Sequence, residues 1–326
     1  MDQLGRNLRD LRISLTDRCN LRCGYCMPAE VFTEGYPYLD REHLLTFEEI
    51  VQVAEAFAAC GGKKLRLTGG EPLLRRDMPV LVRMLKGIPG IAEVALTTNG
   101  LLLEKHLEAL MEAGLDRVTL SLDALDDQVY QEMTGRKASV QRVLDAIDAA
   151  ESAGLPVKTN CVAIRGKNDG QVVPLAEYFR GRKTILRFIE YMDVGNCNGW
   201  SASDVYPAKE ILGALDAQWP LEPTEANYVG EVAKRYRYLD GQGEVGIISS
   251  VSQPFCRDCN RARLSAEGKL YTCLFASSGT DLRAVVRSGG DVHAKLRQIW
   301  EIRDDRYSEI RGSGGAEKIE MSYIGG

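Results

Sequence analysis

From residue 9 to about residue 220 the chain alternates short apolar or β-branched runs with amphipathic stretches of helical period. The runs at 9–16, 64–68, 94–98, 117–122, 157–164 and 185–191 predict strands. Between and after them, 47–60, 78–87, 104–113, 140–153, 172–179 and 208–218 predict helices. The first of these is opened by Thr46 with Glu49 three residues on, the pattern of a capping box. Strand–helix alternation at this spacing means a parallel sheet with right-handed crossovers. Six units are too few to close an eight-fold barrel and enough for an open, curved part of one.

Past about residue 220 the pattern changes. The runs 233–239 and 245–249 read as antiparallel strands, 263–274 as a hairpin turning at Glu267-Gly268, and 282–287 and 292–302 as helices. The expected fold is α/β: a partial (β/α)6 TIM-like barrel over 1–220, with a smaller C-terminal α+β domain over 221–326 that closes its open side. The unusual polar strings fall at or near the C-terminal ends of the predicted strands. They are Thr68-Gly69-Gly70-Glu71-Pro72, Thr97-Thr98-Asn99-Gly100, Ser121-Leu122-Asp123 and Glu190-Tyr191-Met192-Asp193, with Lys158 and Asn160 on the fifth strand. Each alone is weak, since Thr-Asn-Gly is more often a plain turn. Together they predict an active site on one rim, where barrel enzymes build theirs.

Two cysteine triplets carry the chemistry. Cys19-x3-Cys23-x2-Cys26 follows the first strand, and Cys256-x2-Cys259-x13-Cys273 lies in the C-terminal part. A structural metal site wants four protein ligands, so three leave a coordination position open for reaction. Disulfides fit poorly: nine Cys in 326 residues is an odd number at low density. Zinc suits Cys256-x2-Cys259 taken by itself. Against it, six clustered Cys make one and a half four-thiolate sites, and His43, His106 and His293 all lie outside the triplets. A histidine brought in by folding would still complete a zinc site, so zinc stays open on this count. Cys60, Cys161 and Cys197 read as buried free thiols.

Composition changes little. The chain is 44% hydrophobic and 27% charged with net charge −5, ordinary for a globular protein and without the basic footprint of a nucleic-acid binder. No stretch approaches the roughly 18 apolar residues of a membrane span. The N-terminal string lacks the apolar core of a signal peptide, so the expectation is a cytoplasmic chain with reduced thiols.

Cys19-x3-Cys23-x2-Cys26 with Tyr25 before the last Cys, followed by Gly69-Gly70-Glu71-Pro72 after the second strand, resembles the radical S-adenosylmethionine (SAM) superfamily. The second triplet with Asn260-Arg261-Ala262-Arg263 inside it, and the terminal Gly325-Gly326, resemble its GTP-cyclising branch from molybdenum cofactor biosynthesis, over essentially the whole chain. The resemblance implies two [4Fe–4S] clusters, the first on Cys19, Cys23 and Cys26, the second on Cys256, Cys259 and Cys273. It implies a SAM site lined by Tyr25, Gly70, Ser121 and Met192, where Gly70 lets backbone approach the methionine amino group. The implied GTP site comprises Arg12, Lys64, Arg66, Thr97, Lys158, Arg187, Arg261, Ala262 and Arg263, with Gly325 and Gly326 reaching back into the catalytic cavity. The implied reaction joins C8 of guanine to C3′ of the ribose through a 5′-deoxyadenosyl radical. Implied partners are GTP, an external electron donor and a downstream pterin-forming enzyme, with no nucleic acid or membrane, and a homodimer is left open.

Residue chemistry agrees in part. Arg261 and Arg263 sit two apart, so on an extended segment they leave on one face, and guanidinium groups match phosphate oxygens in pairs. A lone Arg-x-Arg is usually a solvated stripe, and a Met such as Met192 is usually core. Two competitors remain. One is a peptide-modifying radical SAM enzyme with an auxiliary cluster, which would carry more C-terminal Cys. The other is a non-catalytic iron–sulfur or zinc sensor, in which the rim strings would have no role.

Overall fold

The computed structural model describes residues 1–311 and 318–325. In chain order the elements are β1 (Asp10–Ser14), α1 (Phe47–Ala59), β2 (Lys64–Thr68), α2 (Met78–Lys86), β3 (Glu93–Thr98), α3 (Leu103–Glu112), β4 (Arg117–Ser121), α4 (Asp127–Thr134), α5 (Gln141–Ser152), β5 (Val157–Ala163), α6 (Val172–Phe179), β6 (Ile185–Glu190), α7 (Ala208–Asp216), β7 (Leu221–Thr224), β8 (Lys234–Tyr238), β9 (Glu244–Ile248), β10 (Arg261–Leu264), β11 (Lys269–Tyr271), β12 (Thr280–Asp281), α8 (Leu282–Arg287), α9 (Val292–Glu301) and α10 (Met321–Ile324). The capping box is present: Thr46 Oγ1 accepts from Glu49 N–H at 3.2 Å, and Glu49 Oε2 accepts from Thr46 N–H at 2.8 Å.

All six predicted strands form and pair in parallel, in chain order. The C-terminal segment adds to both edges of that sheet. β10 pairs parallel with β1, and β9 pairs parallel with β6. The result is a run of eight parallel strands, β10-β1-β2-β3-β4-β5-β6-β9, flanked by the antiparallel β11, β12, β8 and β7. Pairing is linear, so the barrel stays open between β9 and β10. Laid flat, eight strands would span about 35 Å. A single cavity is nonetheless lined from all eight, so the sheet curls around it.

Fully buried parallel strands usually read as continuous apolar runs. These alternate. Leu11, Ile13, Leu65, Leu67, Val94, Leu96, Val118 and Leu120 are all 0% exposed and pack outward in the hydrophobic core. Their neighbours Arg12, Arg66, Thr97 and Ser121 face the lumen instead. Helix α4 lies outside the predicted set. It is short and polar, opened by the Asp126 side chain accepting from Val129 N–H and closed by Gly135 at φ 62°. Its last residue matters, because the Thr134 carbonyl accepts from Arg22 N–H at 2.8 Å and so steadies the first cysteine loop. No helix among the described residues is long and apolar enough to cross a membrane.

Candidate active site

The lumen holds a cavity of about 850 Å³ that runs from the first cysteine triplet to the second. All six of those cysteines line it, and none is in a disulfide. Barrel interiors are normally filled by layers of bulky apolar side chains. Here most inward strand positions are polar, with Arg, Lys, Thr and Asn beside Val162, Ile185, Ile189 and Ile248, which leaves room.

Strand register sets the electrostatics. Arg12 is paired with Arg263 on one side and Arg66 on the other, and Ala95 passes the row on to Arg117. Neighbouring strands are about 4.8 Å apart, so like charges stand side by side. Arg12 and Arg66 have no hydrogen-bond or ion-pair partner among the described residues, and the Nε atoms of Arg12, Arg66 and Arg187 are buried and unbonded. Burial, then Arg263 and Arg66, depress Arg12 well below its ordinary value. Burial with Arg66 and Arg117 brings Arg187 to about 9. Burial with Arg187 and Arg117 brings the Lys158 ammonium to about 8. A guanidinium seldom gives up its proton. The depression therefore measures how strongly this wall would welcome an anion. Lys64 differs: its Nζ pairs with Glu93 Oε2 at 2.9 Å, and Glu93 also takes Arg117.

At one end, the turn Cys23–Cys26 is closed by Cys26 and Met27 N–H groups donating to the Cys23 carbonyl at 3.0 and 2.8 Å. Gly70 holds this loop by making space. A Cβ there would stand 2.2 Å from the Arg18 carbonyl oxygen, directly before Cys19. The space that absence of a side chain opens is thus filled by the cysteine loop's own backbone. Buried Glu71 staples the next loops together: its carboxylate accepts from Leu73 N–H, Thr98 Oγ1 and Asn99 N–H at 2.8–3.0 Å. Asn99 Nδ2 in turn reaches Asn20 at 2.7 Å and Cys19 Sγ at 3.9 Å. Burial lifts Glu71 to about 7 against those donors. Across the loop, Tyr25 O–H donates to Asp123 at 2.9 Å, and burial lifts Asp123 to about 6. Tyr25, Gly70, Ser121 and Met192 all line this end.

Burial, with Glu71 second, raises the Cys19 thiol to about 11; burial and then Asp123 raise Cys23, and burial with Cys19 and Cys197 raises Cys26. Thiols buried together are stable as thiolates only if a metal cation replaces the protons. At the other end burial alone would raise Cys259, but Arg261 and Arg303 outweigh it and bring it to about 6. Among the described residues no three His, Cys, Asp or Glu side chains converge on one ion position. An iron–sulfur cube asks for no such convergence, since each thiolate binds a different iron. Two sets of three unpaired thiols on one cavity fit such clusters.

A model of the radical SAM superfamily matches residues 13–179, and a model described as Molybdenum Cofactor Synthesis C matches 184–309. The chain is 51% identical to a GTP 3′,8-cyclase of Acidothermus cellulolyticus, covering 100% of this chain and 98% of that one. It is 48% identical to a GTP 3′,8-cyclase of Staphylococcus epidermidis over 100% and 98% of the two chains. The chain belongs to the GTP 3′,8-cyclase family of radical SAM enzymes. The solved structure of Streptococcus suis SuiB bound to S-adenosylmethionine shares its fold, with a TM-score of 0.65 at 16% identity, over 94% of this chain and 68% of that one.

In this radical SAM chain the expected rim strings line the cavity, and the site reaches further down the lumen than they do. Lys64, Arg117 and Arg261 begin their strands, and Lys158 and Arg187 come early in theirs, so the cationic wall lies deep in the lumen toward the N-terminal strand ends. Only the SAM-superfamily loop and its neighbours occupy the rim. Of the residues expected at GTP, Ala262 stands apart. Strand alternation turns its methyl into the core at 0% exposure, so it does not line the cavity as its neighbours Arg261 and Arg263 do. The tail segment is buried: Ile324 is 0% exposed, Met321 lines the cavity, and the Gly325 carbonyl accepts from Arg263 Nη1. Gly326 lies outside the described residues. Cys197 and Cys60 are only half-buried, and the Cys197 thiol donates to Glu320 at 3.0 Å, tying the tail to the loop after β6. Arg117 is not singled out by the sequence, and Glu71, Asn99 and Asp123 enter it only as members of the rim strings, without individual roles.

Proposed function

We propose that this chain cyclises GTP to (8S)-3′,8-cyclo-7,8-dihydroguanosine 5′-triphosphate, joining C8 of guanine to C3′ of the ribose. The observation that carries the reading is the single cavity linking both open cysteine sites past a row of guanidinium groups, of which Arg12 and Arg66 have no partner among the described residues. In this reading residues 1–220 are the radical half, and 221–326 carry the second cluster and complete with Arg263 a substrate site that both parts line. Cys19, Cys23 and Cys26 hold one [4Fe–4S] cluster and Cys256, Cys259 and Cys273 a second. With SAM bound at the first, the pair would, on receiving one electron from the external donor, supply a 5′-deoxyadenosyl radical able to take the ribose 3′ hydrogen, with methionine as the leaving group. The substrate's C3′ then joins C8, and one further electron and proton complete a product isomeric with GTP.

The chain's own groups position and hold. Arg12, Arg66, Arg187 and Arg263 take the triphosphate, whose charge relieves their mutual repulsion. Thr97 Oγ1, buried and unbonded, offers a hydroxyl to the nucleotide. Glu71 and Asn99 keep the first cysteine loop in register, and Tyr25 and Asp123 fence the SAM side. Gly325 closes the cavity through Arg263. An external electron donor and a downstream pterin-forming enzyme are the partners, and the cytoplasm, where thiols stay reduced, is the compartment. A peptide substrate is disfavoured by a wall of cations sized for one small polyanion.

GTP binding should weaken with rising pH. Lys158 in the free enzyme titrates near 8, and a bound anion raises that value, so binding takes up a proton above pH 8. Affinity should be level below about 8 and fall up to about tenfold per unit above it. In Lys158→Met the KM for GTP should be higher and its dependence between pH 8 and 9.5 gone.

The test of the reaction is anaerobic reconstitution with iron and sulfide, then incubation with GTP, SAM and a strong reductant. Deoxyadenosine and a GTP isomer should appear in equal amounts. Deoxyadenosine without a modified guanosine would keep the superfamily and reject the substrate.

A further inference from the structure

The second cysteine loop is gripped from behind by two buried arginines. Arg6 Nη1 donates to the Cys256 carbonyl at 2.7 Å. Arg303 Nη1 donates to the Cys259 carbonyl at 2.8 Å, and its Nε donates to the Thr272 carbonyl, next to Cys273, at 3.1 Å. Carbonyls at or beside all three cysteines therefore end on these two guanidinium groups. Asp2 joins the pair, its Oδ2 taking Arg6 Nε at 2.5 Å and Arg303 Nη1 at 2.9 Å. The three side chains are at most 3% exposed. Trp300 completes the knot, with Arg303 over its ring at 4.5 Å and its Nε1 donating to the Arg6 carbonyl at 2.9 Å.

Two contacts point beyond anchoring. Arg303 Nη2 lies 3.4 Å from Cys259 Sγ, the same sulfur that Arg261 Nη2 meets at 3.3 Å. Arg6 lines the cavity, and its Nη2 is buried with no hydrogen-bond partner among the described residues. Donors aimed at a ligand sulfur stabilise added electron density there, which raises a cluster's reduction potential. A lysine could not replace such a fork, since one ammonium cannot span two carbonyls and a sulfur in fixed directions.

We propose that Arg303 and Arg6, locked together by Asp2, are positioning residues for the second iron–sulfur cluster, fixing the spacing of its three thiolates and raising its reduction potential through Cys259. The inference rests on the two-cluster reading above and assigns a role to residues outside both cysteine motifs.

The test compares the reconstituted full chain with its Arg303→Lys, Arg303→Gln and Asp2→Asn variants by iron content, thermal midpoint and EPR-monitored redox titration. The parent should bind about eight irons, two cubes of four. In Arg303→Gln the second cluster's potential should move negative and its g-values shift, with the first cluster unchanged. Arg303→Lys should fall between. Loss of about four irons from a folded variant, with the first cluster's signal intact, is the stronger form of the same result. A loaded Arg303→Gln whose second cluster keeps its potential and g-values, or changes that strike both clusters equally, would overturn the proposal. If that variant does not fold, Arg6→Lys is read in the same way. A parent chain that binds only about four irons overturns the two-cluster reading itself, and so is told apart from failure of the arginine role.

Discussion

Gly70→Ala is expected to strip the first iron–sulfur cluster from the chain while sparing the second. Its Cβ would lie 2.2 Å from the Arg18 carbonyl oxygen and 2.5 Å from the carbonyl carbon, both backbone atoms that cannot swing away. The loop carrying Cys19 must move or the strand end must. Either displaces a thiolate by more than the few tenths of an ångström a metal–sulfur bond tolerates. Iron should fall from about eight to about four per chain, and deoxyadenosine formation should drop at least about a thousandfold. Gly24→Ala is the control. Gly24 sits inside the motif itself, between Cys23 and Tyr25, yet a Cβ there meets nothing within 4 Å. That variant should keep both clusters and nearly full turnover. Full iron in Gly70→Ala would show that the glycine-rich turn does not hold the cysteine loop.

Arg66→Met should make the protein more stable and nearly useless at ordinary GTP concentrations. Arg66 is buried beside Arg12 in the strand register, its Nε has no partner, and burial lowers its pKa with Arg117 adding to the fall. Replacing a buried, poorly paired charge by an apolar side chain of similar length is stabilising by about 1–4 kcal/mol. Thermal unfolding of the nucleotide-free protein should therefore shift upward by a few degrees. Losing one arm of the phosphate cradle should raise the KM for GTP about a hundredfold, roughly 3 kcal/mol of binding. Uncoupled SAM cleavage should be little changed, because the first cysteine loop is untouched. A variant that is destabilised and still binds GTP normally would mean that Arg66 is structural.

Much of this architecture is legible in the amino-acid sequence alone. Six parallel strands, most helices and the capping box at Thr46 follow from period and turn chemistry, because each is a local pattern. The two edge pairings, β10 on β1 and β9 on β6, join segments more than 50 residues apart and leave no local trace. They convert a six-stranded piece into eight parallel strands and bring Arg263 beside Arg12. The depth of the cationic wall is visible in principle. Asp10-Leu11-Arg12-Ile13-Ser14, Lys64-Leu65-Arg66-Leu67-Thr68 and Arg117-Val118-Thr119-Leu120-Ser121 alternate strictly, whereas ordinary buried parallel strands do not. Polar residues at every second position of three parallel strands mean an unfilled lumen. That pattern also picks out Arg117. Glu71 stands inside one of the polar strings, but its role as a staple between loops depends on the Thr98 and Asn99 contacts that only folding creates. Arg6 and Arg303 cannot be found this way, since nothing in their neighbourhoods along the chain marks a site.

The most direct measurement is EPR of the reduced, reconstituted protein with SAM and GTP added separately. Two clusters with open irons at opposite ends of one lumen predict that SAM shifts the signal of one cluster alone and GTP that of the other alone. A single responsive signal, or two signals indifferent to both molecules, would contradict the account.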